Sequence, residues 1–156
     1  MPLSKIQTSS LPAGSVLQVV QQVLTNTQES TANTSLSDTS LVATITPSST
    51  SSKILVTIST QSYTSSSGDI GLYGLNRTIS GGSGVDLNTG EVFQANQQTG
   101  GWQPMVINFL DSPSTTSATT YRLRFKSMNG SSSVFHGWGT GSGGSSQIII
   151  LKEIAG

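Results

Sequence analysis

The sequence predicts an all-β protein: an antiparallel β-sandwich or jelly-roll-like knob with a short extended N-terminal arm. Three observations carry this. Short apolar runs alternate with polar residues at period two, the pattern of a half-buried strand and not of an amphipathic helix. The runs are rich in Val, Ile and Thr, whose branched Cβ suits a pleated surface. Clusters of Gly, Pro, Ser and Asn separate them at short intervals, as turns do. The chain holds 29 Ser and 20 Thr in 156 residues. In a linker or stalk those hydroxyls would form a featureless tract. Here they surround apolar runs and stand where most soluble proteins carry charge.

Taken in order, residues 1–13 contain two prolines and little pattern and read as an extended arm, leaving 14–156 as one β domain. Val16 to Leu24 is the first strand; its four Val residues favour strand over helix. Asn26 to Asp38 is a polar connection. Leu41, Ala43 and Ile45 alternate with Val42, Thr44 and Thr46 in a strand that stops at Pro47. Ser48 to Ser52 is a turn. Lys53 to Tyr63 is the clearest strand, with Ile54, Val56 and Ile58 facing one way and Leu55, Thr57 and Ser59 the other. Ile70 to Thr78 follows, then a Gly81 to Gly84 loop and a short candidate at Glu91 to Ala95. Met105, Ile107 and Phe109 form the next inward set, and Asp111 to Thr119 is a proline-containing connection. Tyr121, Leu123 and Phe125 alternate with Arg122, Arg124 and Lys126, a strand with one apolar and one cationic face. Val134 to Trp138 is short, Gly139 to Ser146 is a loop, and Gln147 to Ile154 closes the chain as a nearly continuous apolar strand. Such a strand is an aggregation hazard on an open edge, so it belongs at the centre of a sheet or between subunits.

Leu, Ile, Val and Phe number 38, enough for a core but a small one. A chain of this size hides only about two-thirds of its unfolded surface, so oligomerisation would help it. Charged residues make up 9% of the chain and cancel to zero. Nucleic-acid binding and attachment to an anionic membrane both require clustered Lys or Arg, and neither is expected. There are no cysteines, which excludes a disulfide framework and Cys-based zinc sites. No secretory signal or membrane-spanning run is expected: the longest unbroken apolar run is Ile148 to Leu151.

The chemistry-bearing residues form no motif. His136 is the single histidine and cannot build a His-based metal site. The nucleophile-elbow pattern G-x-S-x-G is absent, and no Lys follows the Gly-rich stretch 139–144, so no phosphate loop is expected. Asp38, Asp69, Asp86, Glu91, Asp111 and Glu153 are scattered, with no sign of a paired-carboxylate site. Asp111, in Asp111-Ser112-Pro113, reads as a turn cap. Three Asn-x-Ser/Thr patterns, at Asn33, Asn76 and Asn129, read as chance matches in so hydroxyl-rich a chain. No enzyme activity and no cofactor are expected. Trp102 follows Gly100-Gly101, and Trp138 lies between Gly137 and Gly139 beside Phe135 and His136. Aromatics in small polar surroundings stack on sugar rings or anchor interfaces, and they also plug barrel ends or subunit seams. Trp102, His136 and Trp138 are therefore the candidate surface-binding residues.

Several segments together resemble a family of tail-fibre-like virion structural proteins of tailed bacteriophages, especially those of marine and freshwater bacteria. They are Leu3-Ser4-Lys5-Ile6-Gln7, Leu11-Pro12-Ala13-Gly14-Ser15-Val16-Leu17-Gln18-Val19-Val20, the stretch from Ile45-Thr46-Pro47 to Lys53-Ile54-Leu55-Val56, and Leu110-Asp111-Ser112-Pro113 with Thr115 to Tyr121. The resemblance runs to the closing Leu151 to Gly156 and is weakest over Leu72 to Gly101, where a variable surface would lie. It implies a non-enzymatic, homotrimeric β-sandwich head on the outside of a virion. The arm would dock onto other virion proteins through Leu3, Ile6, Leu11 and Pro12; Ile148 and Ile150 would lie at a subunit interface. The loops 81–101 and 134–144 would meet a neighbouring protein or a host-surface glycan. The chain has no long shaft between arm and knob, so a capsid decoration or cement role stands beside the fibre role, with a free carbohydrate-binding domain as a further alternative.

Overall fold

The computed structural model describes residues 11–66, 68–87, 94–96, 101–130, 133–139 and 144–156. Eleven strands appear among them: β1 (Val16–Thr25), β2 (Glu29–Thr31), β3 (Ser37–Ile45), β4 (Lys53–Thr64), β5 (Gly71–Ile79), β6 (Val85–Asp86), β7 (Gln94–Asn96), β8 (Gln103–Asp111), β9 (Thr119–Ser127), β10 (Val134–His136) and β11 (Ser146–Ile154).

They form two antiparallel sheets. In the first, β1 pairs with β11, β11 with β4, and β4 with β8. β10 continues the β11 position along β4, opposite residues 62–64, and β2 pairs with β10 as β1 does with β11. In the second, the order is β3-β9-β5, with β7 and β6 end to end along the free edge of β5. Counting β1/β2, β6/β7 and β10/β11 as single broken strands leaves eight strand positions. The first then pairs with the eighth, the second with the seventh, the third with the sixth and the fourth with the fifth. That is one long antiparallel hairpin rolled into a two-layer sandwich, the jelly-roll arrangement.

The core fills the space between the layers, built from the inward side of each period-two strand. Ile54, Val56 and Ile58 of β4 and Ile149 and Leu151 of β11 meet Leu41, Ala43 and Ile45 of β3, Leu75 of β5 and Leu123 and Phe125 of β9, all buried. The apolar closing strand β11 lies centrally between β1 and β4, so its backbone groups are paired on both sides. The edges are blunted. β8 places Pro104, which has no N–H to offer, opposite Gln61, and the ladder of edge strand β3 is irregular between Asp38 and Val42.

Buried polar side chains tie the layers together. Asp111 at the end of β8 accepts hydrogen bonds from Arg77 of β5 (2.8 and 2.9 Å) and from the Tyr121 hydroxyl of β9 (2.7 Å). The expected turn cap is thus a cross-layer anchor; the period-two pattern of β8 turns Asp111 inward with Met105 and Ile107. Burial, and then the Asp111 carboxylate, push the Tyr121 phenol above its usual range, so it stays a donor. Glu153 is buried with no cation beside it among the described residues. Its oxygens accept from the Ser48 backbone and hydroxyl, the Ser52 hydroxyl and the Gln18 amide, each at 2.7 Å. Burial raises its carboxyl, and the Ser52, Ser48 and Gln18 bonds more than offset this, leaving it below the ordinary range. These bonds fasten the β3–β4 turn to β11.

Candidate functional site

The two outer faces of the sandwich differ in chemistry. On the β3-β9-β5 face, Arg122 and Arg124 contact Asp38 (2.6 and 2.8 Å), and Arg124 also contacts Asp86 (2.8 Å). Burial raises the Asp86 carboxyl, but bonds from Asn76 and Arg124 and the Arg124 charge bring it below its ordinary value. A cleft of about 320 Å³ opens there, lined by Asp38, Asn76, Thr78, Thr120 and Arg122. The cationic stripe expected on β9 is therefore largely neutralised by its neighbours.

The outer face of β1-β11-β4-β8 is apolar. Cross-strand register places Val19, Lys152, Leu55 and Leu110 in one row; Gln21, Ile150, Thr57 and Asn108 in the next; and Val23, Ile148, Ser59 and Val106 in a third. Val19, Val23, Val106 and Leu110 are 56%, 40%, 53% and 51% exposed. Ile148 and Ile150 are half-buried on this face, between the strands that flank β11. Thr57 donates to Asn108 Oδ1 (2.9 Å), so two polar side chains of the middle row satisfy each other. Lys53 and Lys152 are the charged side chains of this face among the described residues, and both are at one end.

At the other end three aromatic rings meet. Tyr63 is 5.5 Å from Trp102 and 5.7 Å from Phe135, and Trp102 is 6.5 Å from Phe135 edge-on. Tyr63 and Phe135 are cross-strand partners on β4 and β10, which fixes the grouping.

The three expected surface-binding residues do not form one site. Trp102 belongs to the aromatic trio and is half-buried. Trp138 is 48% exposed in the turn after β10, where its backbone exchanges bonds with Ser145. His136 is a correction: it is fully buried. Alternation along β10 turns Val134 and His136 inward and Phe135 outward, and the His136 ring packs edge-on against Phe125 at 5.2 Å. Its Nε2 lies 2.6 Å from Glu29 Oε2 on β2, while Nδ1 is buried without a partner. Glu29 also accepts from the Ser40 backbone (2.9 Å) and hydroxyl (2.9 Å). Burial raises the Glu29 carboxyl, and the bonds to His136 and Ser40 and the His136 charge outweigh that, bringing it to about 2. Glu29 is absent from the carboxylates that the sequence singled out. It lies 107 residues from its partner, and only the β2–β10 pairing brings them together.

Of the docking residues, Leu3 and Ile6 lie outside the described residues. Leu11 lines a cleft of about 350 Å³ with Leu17, Ser48, Ser52 and Ala155, and Pro12 is exposed beside it. Gly14 donates to Ala155 (2.8 Å) and Ala155 to Ser15 (2.8 Å), tying the end of the arm to the end of β11. Much of the loops 81–101 and 134–144 also lies outside the described residues.

Among the described residues no group of three or more His, Cys, Asp or Glu side chains could hold a metal ion, and no helix is long and apolar enough to cross a membrane. The six described carboxylates instead accept hydrogen bonds from side chains or backbone of the same chain.

No protein-family model matches this chain, and no curated protein matches it. Among solved structures, the chain is similar to one in "Structure of infectious bursal disease virus Gx strain", at 14% identity and a TM-score of 0.43. That similarity covers 99% of this chain and 41% of the other, so this chain spans about two-fifths of its neighbour's length.

Proposed function

We propose that this chain is a structural, non-catalytic component of a virus particle: the knob of a bacteriophage tail fibre or short fibre, displayed outward. The observation that supports this most is how its chemistry is spent. The histidine and each described carboxylate hold strands, turns and layers together. The surface that remains is a hydroxyl-rich β framework with one wide apolar face and an aromatic end. Such a surface acts by shape, through weak contacts multiplied over several copies on one particle. The resemblance of the arm and turn segments to fibre proteins supplies the phage setting. The cleft beside Leu11 and Pro12 is where the arm would join the rest of the particle.

Gold-labelled antibody raised against the purified chain, applied to virions of the producing phage, tests this. Label at the tail or its fibres supports the proposal. Label over the capsid would reassign the protein as a decoration protein bridging capsomers. Unlabelled particles, with all the protein free in the lysate, would overturn a virion role. Adsorption to host cells by Trp138→Ala particles then separates host contact from a purely architectural part: reduced adsorption supports host contact, and unchanged adsorption removes it.

A further inference from the structure

We infer that the outer face of β1-β11-β4-β8 binds the same face of a second copy of this chain, about a two-fold axis running across the strands. This concerns the isolated protein and stands apart from the particle assignment.

The face is large enough. Strands of about nine residues at ~3.3 Å each, four abreast at ~4.8 Å, span roughly 30 by 19 Å. That is about 600 Å² before the relief of the side chains is counted. A stable interface needs roughly 800 Å² of accessible surface per partner, which a corrugated layer of this footprint approaches. The composition also fits. Val19, Val23, Val106 and Leu110 stand exposed around the half-buried Ile148 and Ile150, interleaved with the uncharged Gln21, Thr57, Ser59 and Asn108; exposed apolar side chains gathered on one face mark an interaction site. Thr57 and Asn108, near its middle, already satisfy each other at 2.9 Å and lose little on leaving water. The face carries no described carboxylate, so a basic partner has no counter-charge here.

Charge placement selects the orientation. Lys53 and Lys152 mark one end; Tyr63, Trp102 and Phe135 mark the other. A two-fold axis along the strands would press the lysines of both copies together. An axis across the strands, near Ile58, sets the lysine end of each copy over the aromatic end of the other, a cation–π arrangement. A flat face that meets its own copy is isologous. A three-fold seam, as the fibre resemblance implies, would need two different complementary patches.

Sedimentation of the full chain at micromolar concentration should report a dimer. Ile150→Asp, at the centre of the face, should weaken it at least about 100-fold while far-UV circular dichroism stays β. Val106→Lys, on the exposed edge strand, is the second variant and should also weaken dimerisation if Ile150→Asp fails to fold. The chain has no cysteine, so Lys53→Cys gives one spin-label site per copy, and Lys152 stays in place to carry the charge of that end. Lys53 is five residues from Ile58, which predicts labels roughly 33 Å apart along the strand direction for the crossed axis. A trimer, a monomer, or a dimer indifferent to both substitutions overturns the inference. Labels within about 15 Å overturn the orientation.

Discussion

Replacing Asp111 with asparagine tests the claim that this side chain bolts the two layers together. The wild-type carboxylate is 7% exposed and holds Arg77 through two contacts and Tyr121 through a third. Asparagine preserves the shape and removes the charge. Arg77, whose side chain is 20% exposed, is then left mostly buried against a neutral amide. Removing one partner of a buried ion pair costs about 3–5 kcal/mol; the partial exposure of Arg77 places the expectation near ~3 kcal/mol. Tyr121→Phe removes one charge-assisted hydrogen bond and should cost about 1.5–3 kcal/mol. The three groups share one carboxylate, so the double variant should lose less than the two single losses combined, by about 1 kcal/mol or more. Equilibrium urea unfolding reads this directly: with a slope of about 1.5 kcal/mol per molar, Asp111→Asn should lower the midpoint by about 2 M at unchanged slope. A loss under about 1 kcal/mol, or strict additivity with Tyr121→Phe, would refute the anchor and return Asp111 to a local turn role.

Stability should also depend on acid in a defined window. The Glu29 carboxyl is held at about 2 against an ordinary 4.5, so its contribution is present above about pH 4.5 and is lost as pH falls toward 2. At about 1.4 kcal/mol per pH unit this amounts to at most ~3.5 kcal/mol, reduced by solvent screening of the part-exposed carboxylate. Glu29→Gln should flatten that part of the acid limb in unfolding melts collected between pH 2 and 6; an unchanged limb would remove the His136–Glu29 clamp. Gly137 has φ +68°, and a Cβ there would meet the Gln147 amide and, at 2.5 Å, the Thr27 carbonyl oxygen. Gly137→Ala should therefore cost about 2 kcal/mol in thermal unfolding, and a neutral result would mean this turn is not as tight as described. Trp102→Ala should cost about 1–2 kcal/mol through lost ring contacts and remove the part of the fluorescence spectrum that shifts on unfolding; loss of that signal without any change in stability would show that the aromatic trio is not packed.

Elements long enough to repeat the two-residue period were legible in the sequence. Ile54-Val56-Ile58 and Tyr121-Leu123-Phe125 face inward as the alternation demands, and the apolar run at 148–151 is central in its sheet. β2 and β6 were not: three and two residues carry no period, and each forms only where a strand distant or separate in sequence offers it an edge, β10 for β2 and β5 for β6. The Glu29–His136 pair was hidden for the same reason, since it depends on β2. His136, next to Trp138 in glycine-rich surroundings, reads as a surface-binding residue, whereas counting by twos from Val134 places it inside. Local turn chemistry likewise claimed Asp111, while its inward direction was set by a strand whose partners lie far off in sequence. Composition and alternation report which residues leave water. They do not report which distant polar groups will meet there.

The pairing of the first strand position with the last has a temporal consequence. Of the described strands, β1 leaves the ribosome first and its ladder partner β11 last, so this ladder cannot close until every described strand between them has been made. Closing so long a loop is entropically slow. The valines and glutamines of β1 are thus exposed longest, and the hydroxyl-rich, weakly apolar sequence around them is suited to a segment that must wait in water without sticking.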